Sequence, residues 1–480
     1  MRYAVLVLIL VFFSFPIVLA AKPFHDHSSC SSQLLSRFHA LSGTSYLEDT
    51  VASMQQGSTS LLQGQFLTES SPTWESLGPY GGEITSMAMS PDEPNIIYTA
   101  VYTNPCLIYR TSNGGAGWDL VSSINAYVNC LAVNPHLPNV VYASTWSEYV
   151  YRSTDGGGTW TGFQTNHTGN YVYALLEDPA DPDVLWGAAD MHVGSYAHVA
   201  AAQSTDGGST WTFYPLSPPG WGAAYSIAIP PENPLTIYVG GYYYEPGDLR
   251  PHVAIYKSTD GGVHWQDVGS DIDSLRAEGH VFALAVRTTD RESVYAGGYY
   301  WDEHAEDFYL FKSTDGGEHW TPTGSGISSP IYSFVLHPSV FSTAYAATGE
   351  TVFKSVDGGI TWTPSGPGMF GQHARCLLLN PVNPSTVYAG NQAGVFKTVD
   401  GARHWSFSST GIAATRVCAL ATASSSPHTL YVGVEDDALY RSTDDGMNWN
   451  RLHEFSGCHG VEALAIDPQD VDKIYLFTGG

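Results

Sequence analysis

Lys257-Ser-Thr-Asp-Gly-Gly262 and Lys312-Ser-Thr-Asp-Gly-Gly317 are the same hexamer, and Arg152, Gln203 and Lys354 begin near-copies. Each copy is followed by a Trp on the third residue. A site for chemistry is normally written once, whereas a part of the scaffold is written once per structural unit. Aligned on the Trp, the chain holds eight copies of S/T-x-D/N-x-G-x-x-W, at Trp118, Trp160, Trp211, Trp265, Trp320, Trp362, Trp405 and Trp449. The steps are 42, 51, 54, 55, 42, 43 and 44 residues. A period of this length indicates a propeller or a solenoid.

Each period reads as four short strands. In one unit "VYAG" from Val387 is the second strand, "GVFKTV" the third and "WSFSST" the fourth, and "RVCALAT" opens the next unit. Runs rich in Val, Tyr, Phe and Thr between Gly/Pro/Asp clusters are strands. The hexamer then closes the hairpin between strands three and four. Its Asp carboxylate and Ser hydroxyl accept turn N–H groups, and its Gly supplies positive φ. A second turn, as in "NPHLPN" and "NPVNPS", reverses the chain between strands one and two, with two Pro residues stopping the ladder. The fold expected is all-β: a β-propeller of four-stranded blades, with eight full repeats plus a divided or incomplete ninth. Ala402 stands where the other copies have Gly, so that turn should carry the most strain.

The motif resembles the Asp-box, or BNR repeat, of sialidases, glycoside hydrolase family 74 xyloglucanases, Vps10/sortilin receptors and photosystem II assembly factors. The resemblance covers about Trp74 to Gly480. It implies that Asn113, Asp155, Asp206, Asp260, Asp315, Asp357, Asp400 and Asp444 are structural turn residues, away from the binding face. For the closure of the ring, one large ring of eight or nine blades is the first expectation. Seven blades plus the start of a second propeller, as in the family 74 enzymes, is the other.

Residues 1–20 read as a secretory signal, with Arg2 before the apolar run Val5 to Leu19. Residues 21–72 form a Ser/Gln-rich leader or propeptide, and 73–480 the propeller. A secreted protein, extracellular or periplasmic, with no membrane insertion after signal cleavage, follows. Asp plus Glu outnumber Lys plus Arg by 46 to 19, a formal charge of -27, which argues against nucleic acid as a partner. Six cysteines carry no C-x-x-C spacing, and incidental bridges plus buried thiols are the expectation. No cofactor and no metal site is expected; His25-Asp26-His27 lacks further ligands. A monomer is expected.

Three connections between second and third strands are long, from Gly187, Gly240 and Gly297, in consecutive blades three to five. They carry clusters of aromatic residues beside carboxylates, which suits the apolar faces and hydroxyl edges of sugars. Trp146, Trp221, Tyr243, Tyr244, Tyr300 and Trp301 are the candidate ligand-binding residues. Strand alternation would turn some of these rings inward as packing. Glycoside hydrolysis needs two carboxyl groups, for which Asp190, Asp302 and Glu435 are the candidates. The resemblance to family 74 places a catalytic Asp after the second strand of the first blade, where this chain has Tyr102; only "WGAAD", ending at Asp190, looks similar. The Arg triad and F/Y-R-I-P segment of sialidases are absent. The reading is a glycan- or extracellular-protein-binding propeller, with a family 74-like glycoside hydrolase as the alternative.

Overall fold

The computed structural model describes residues 81–478, apart from short internal stretches such as 166–168, 302–306 and 435–437. The signal, the leader and Trp74 therefore lie outside the described residues. The propeller reading holds: eight four-stranded antiparallel units follow one another, and a two-stranded ninth ends them. Blade one runs from Ile84–Met89 through Ile97–Val101 and Cys106–Thr111 to Asp119–Ile124. Every box lies between the third and fourth strands, as its turn chemistry requires.

The box works as a set of hydrogen bonds. In blade two, Ser153 Oγ donates to Asp155 Oδ1 (2.8 Å) and accepts from Gly157 N–H (2.8 Å), while Thr159 N–H donates to Asp155 Oδ1 (2.9 Å). The bonds from the Thr159 backbone and hydroxyl, followed by that from Ser153, hold the Asp155 carboxyl down at about 2. The same pattern recurs at Asp206, Asp260, Asp315, Asp357, Asp400 and Asp444. Asn113 does the equivalent through its amide oxygen. Ala402 has φ of 65°, a left-handed conformation that costs a residue with a Cβ, so the strain expected there is present.

The residue that opens the hexamer joins the blades. Lys257 Nζ donates to Gly316 O of the next box (2.8 Å), Lys312 to Gly358 O (2.9 Å) and Lys354 to Gly401 O (2.7 Å). Arg152 reaches Gly207 O in the same way (3.2 Å). Each Lys also lies over a Tyr of its own blade's second strand, as Lys312 does over Tyr295 at 5.1 Å. A buried carbonyl is thus satisfied by a charged donor that is itself packed on an aromatic face.

This latch closes the ring. Lys397 and Tyr388 of blade seven both donate to Gly114 O of blade one, at 2.7 and 3.0 Å. Trp118 Nε1 donates to Ser408 O, and Ile84 N–H to Asn391 O. Blade one therefore occupies the place that an eighth blade would take. The first expectation, one ring of eight or nine blades, is corrected to seven. Val417–Ala423 to Asn450–Glu454 forms a further four-stranded blade, followed by the hairpin Val461–Asp467 with Asp470–Thr478. Among the described residues, three thiols, Cys106, Cys130 and Cys376, are free, and burial pushes them up to about 11, 11 and 12.

Candidate functional site at the mouth of the ring

The first strand of each blade is innermost and packs on the first strands of its neighbours. It carries a β-bulge at one fixed place. In blade three, Ala188 and Ala189 pair with Ala174 and Val172, so Tyr173 is the extra residue. The same offset isolates Thr85, Asn129, Tyr225, Phe282 and Tyr332 in blades one, two, four, five and six. In blade seven, Arg375 N–H and paired Cys376 both face Gly390. A bulge re-aims the side chain it frees. Here the neighbours Val172, Ala224, Val281 and Ile331 are buried, while the freed residues keep a minor part of their surface exposed toward the axis.

These residues divide the mouth by chemistry. Tyr173, Tyr225, Phe282 and Tyr332 touch in blade order, with ring centroids 5.1, 5.8 and 5.7 Å apart. The Arg375 guanidinium continues the arc, 5.8 Å from the Tyr332 centroid, and its Nη2 donates to Glu83 Oε1 of blade one at 3.1 Å. Thr85 and Asn129 complete a polar half. Above the aromatic half, Tyr242 stacks on His280 (4.0 Å) and meets Tyr244 edge-on (5.6 Å). Burial holds His280 down at about 4, so it is neutral at pH 7.

Asp190 sits against this arc. It lies on the second strand of blade three, Leu185–Val193, and is 5% exposed. Its Oδ1 accepts from Tyr171 N–H (2.7 Å) and its Oδ2 from the Tyr173 hydroxyl (3.1 Å), with His192 Nε2 3.6 Å away. Burial raises the carboxyl to about 6, partly offset by these donors. The rings of Tyr225 and Tyr242 stack on each other beside it, with centroids 5.7 Å apart. Tyr173, buried next to Asp190, is pushed far above the ordinary phenol range, so it stands as a donor.

Of the three candidate carboxylates only Asp190 is described; Asp302 and Glu435 lie outside the described residues. Glu148 is a carboxylate the sequence reading missed. Its Oε1 accepts from Gly169 N–H (2.7 Å), and it lies near enough to Tyr171 to act on it together with Asp190. Tyr102, Trp146 and Asp190 occupy equivalent places, each donating its N–H to a carbonyl at the start of the first strand: Glu83, Tyr127 and Tyr171.

The candidate rings separate as alternation dictates. Trp146 and Trp221 are presented to solvent, 40% and 56% exposed, and Tyr244 is half-buried at the mouth. Tyr243 and Tyr300 are corrected from binding to core residues: both side chains turn into their blades, Tyr300 with no exposed surface and packed on Phe311. The side chain of Trp301 lies outside the described residues. Two of the supposed long loops are hairpin extensions. Leu185–Val193 pairs with Tyr196–Ser204 along nine residues, because Ala188, Ala189, Ala200, Ala201 and Ala202 allow close sheet packing.

The bulge residues had a sequence signal of their own. "ITSMAM", "VNCLAV", "VYALLE", "AYSIAI", "VFALAV", "IYSFVL" and "ARCLLL" are one repeated first strand, and its second letter is the residue aimed at the axis.

Comparison with known proteins agrees with this architecture. The sequence profile of the Sortilin-Vps10 family (Sortilin, neurotensin receptor 3) matches residues 106–217. A xyloglucanase of Hypocrea jecorina (strain QM6a) is 33% identical over 107 residues, which span 21% of this chain and 12% of that protein. A GH74 xyloglucanase from Xanthomonas campestris aligns with TM-score 0.54 at 16% identity, over 83% of this chain and 71% of that one. An ancestral GH74 enzyme aligns with TM-score 0.62 at 16% identity, over 83% of this chain and 58% of that one. The chain is a β-propeller that resembles the Vps10-type proteins over the matched stretch and the family 74 enzymes in fold.

Proposed function

We propose that the mouth of the seven-bladed ring binds a glycan, outside the cell, on the arc of Tyr173, Tyr225, Phe282 and Tyr332. One observation carries this reading: four partly exposed rings in unbroken contact face a polar half built from Arg375, Glu83, Thr85 and Asn129. Binding sites of this kind combine an aromatic wall with a few placed polar groups. A sugar meets both needs, with its C–H face on the arc and its hydroxyls on Asp190 and the polar side. The matched xyloglucanase stretch supports a plant-type polysaccharide as the first ligand to try. An extracellular protein is the competing occupant. Calorimetric titration of the folded chain with xyloglucan, mixed-linkage β-glucan and sialylated glycans tests it. Saturable binding to one glycan, weakened about 30-fold (~2 kcal/mol) by Tyr225→Ala, is expected. No binding to any glycan by a folded protein would overturn it.

A second reading, glycoside hydrolysis, draws on Asp190 and Glu148. A carboxyl held near 6 by burial suits a general acid, and Glu148, also close to Tyr171, would serve as its partner. Release of reducing sugar that Asp190→Asn abolishes would establish this reading; binding without turnover would exclude it.

A further inference from the structure

Three features of the mouth bear on which part of a glycan it takes. First, the ring closes on itself through Lys397 and Gly114, so blades bound the axis on every side. Second, the axis-facing residues form a circuit of contacts in blade order, from Tyr173 through Tyr332 to Arg375 and across the seam to Glu83. Third, the rim is raised on one side. Blades three and four fuse into one eight-stranded sheet through the bridge Ala197–Trp221. Their second strands run nine and eight residues, Leu185–Val193 and Ile237–Tyr244. In blades six and seven they run five and four, Ala344–Thr348 and Val387–Gly390.

The raised side carries the most exposed of the candidate rings, while Tyr102 and Trp146, 37% and 40% exposed, stand on blades one and two. Trp221, 56% exposed, pairs across the strands with Tyr244, and Tyr244 meets Tyr242 at 5.6 Å. Tyr242 in turn stacks on Tyr225 of the arc at 5.7 Å. Aromatic surface therefore leads from the axis up one wall to Trp221. In the low blades opposite, the second and third strands are joined by short turns, with Thr348 N–H donating to Thr351 O and Asn391 N–H to Gly394 O.

We infer that the site takes the end of a glycan chain: the terminal sugar enters the mouth, and the next one or two climb the wall to Trp221. This rests on the glycan reading proposed above. A chain interior would need a matching exit across the axis, whereas the connected run of rings leaves the arc over blade four. The ligand is then an exposed chain terminus of a polysaccharide, and the interior of the polymer is left outside.

The test compares xyloglucan polymer, its limit-digest oligosaccharides and cello-oligosaccharides of one to six sugars by calorimetry. End recognition predicts an affinity that stops rising at about three sugars. The polymer should match the oligosaccharides per chain end and be weaker per sugar by a factor equal to its length. Trp221→Ala should lower affinity for the trimer about tenfold and leave the single sugar unchanged, whereas Tyr225→Ala should weaken both. Equal affinity per sugar for polymer and oligomer, or affinity still rising at six sugars, would overturn end recognition while keeping glycan binding. Failure to bind any of these probes would overturn both.

Discussion

Glu177 gives the sharpest test of the blade geometry. It closes the first strand of blade three, paired with Leu185. The same place holds Met89, Val133, Val286, Leu336 and Leu379 in other blades, so it is a packing position by its repeat. Its carboxyl lies against blade two, near enough to Tyr142 and Cys130 to act on both, and Oε1 has no hydrogen-bond partner among the described residues. Burial pushes it from 4.5 up to about 8. The sign follows: the folded state favours the neutral acid, so stability is intact below the unfolded value and is lost as pH rises through the window from 4.5 to about 8. With ~1.4 kcal/mol per unit, the loss is about 1 kcal/mol at pH 5, about 3 at pH 7 and approaches 5 above pH 8. Glu177→Gln keeps the shape and removes the titration. Urea unfolding followed by Trp fluorescence, run on both proteins from pH 4.5 to 8.5, should show the variant gaining about 3–4 kcal/mol relative to the parent across that range. Groups that titrate in both proteins cancel in the difference. Parallel stability curves would refute the burial of this carboxyl and the blade-to-blade packing inferred from it.

The remaining predictions concern the latch, the turns and the site. Lys397→Met should cost about 2 kcal/mol, matching Lys312→Met, because both remove a charged donor to a box carbonyl; no cost at Lys397 alone would mean the ring does not close between blades seven and one. Gly359→Ala should cost at least about 2 kcal/mol, since φ is 89° there and a Cβ would meet Tyr295 Cε1 at 2.9 Å. Ala402→Gly should shift stability by less than about 1 kcal/mol, the relief of strain offsetting the lost methyl; thermal melts of the pair decide both. Ligand affinity should change with pH about a midpoint near 6 in the parent, as Asp190 takes up its proton, and be flat in Asp190→Asn over the same range. Tyr300→Phe should leave ligand affinity unchanged in the titration that detects Tyr225→Ala, and a matching loss would return Tyr300 to the binding surface.

Much of the fold could be read because the box is written in local chemistry. Ser, Asp, Gly and Trp at fixed offsets state a turn and the strand that follows, and every described box keeps those bonds. The number of blades in the ring was not legible in the same way. It depends on Lys397 reaching Gly114, two residues 283 positions apart, and Lys397 is no different in sequence from Lys257 or Lys354. Any of them could have gripped the next box in line. The choice between Tyr242 and Tyr243 was harder still, since one residue of register decides which ring is core.

The arc itself was not legible in loop length, for a physical reason. Long connections mark Asp190, Tyr244 and Trp221, yet the arc is built by residues inside the most regular strand of each blade. A bulge lets one residue leave the ladder without disturbing its neighbours, so that position can vary while the strand around it stays fixed. That is what the repeats show: Val or Ile before it and a small residue after it in most blades, with Thr, Asn, Tyr, Tyr, Phe, Tyr and Arg in between. The same offset isolates Cys418 and Glu462 in the units that follow the ring. Scaffold positions repeat because every blade must solve the same packing problem. Positions that differ between otherwise identical strands are free of that problem, and the aromatic half of the mouth is made wholly of them. Exchanging Tyr225 for the Asn of blade two should therefore leave the ring folded, at a cost of about 2–3 kcal/mol for the lost ring contacts, while removing a quarter of the arc. If Tyr225→Asn instead unfolds the ring, these residues are packing, and the site must be sought on the wall around Trp221.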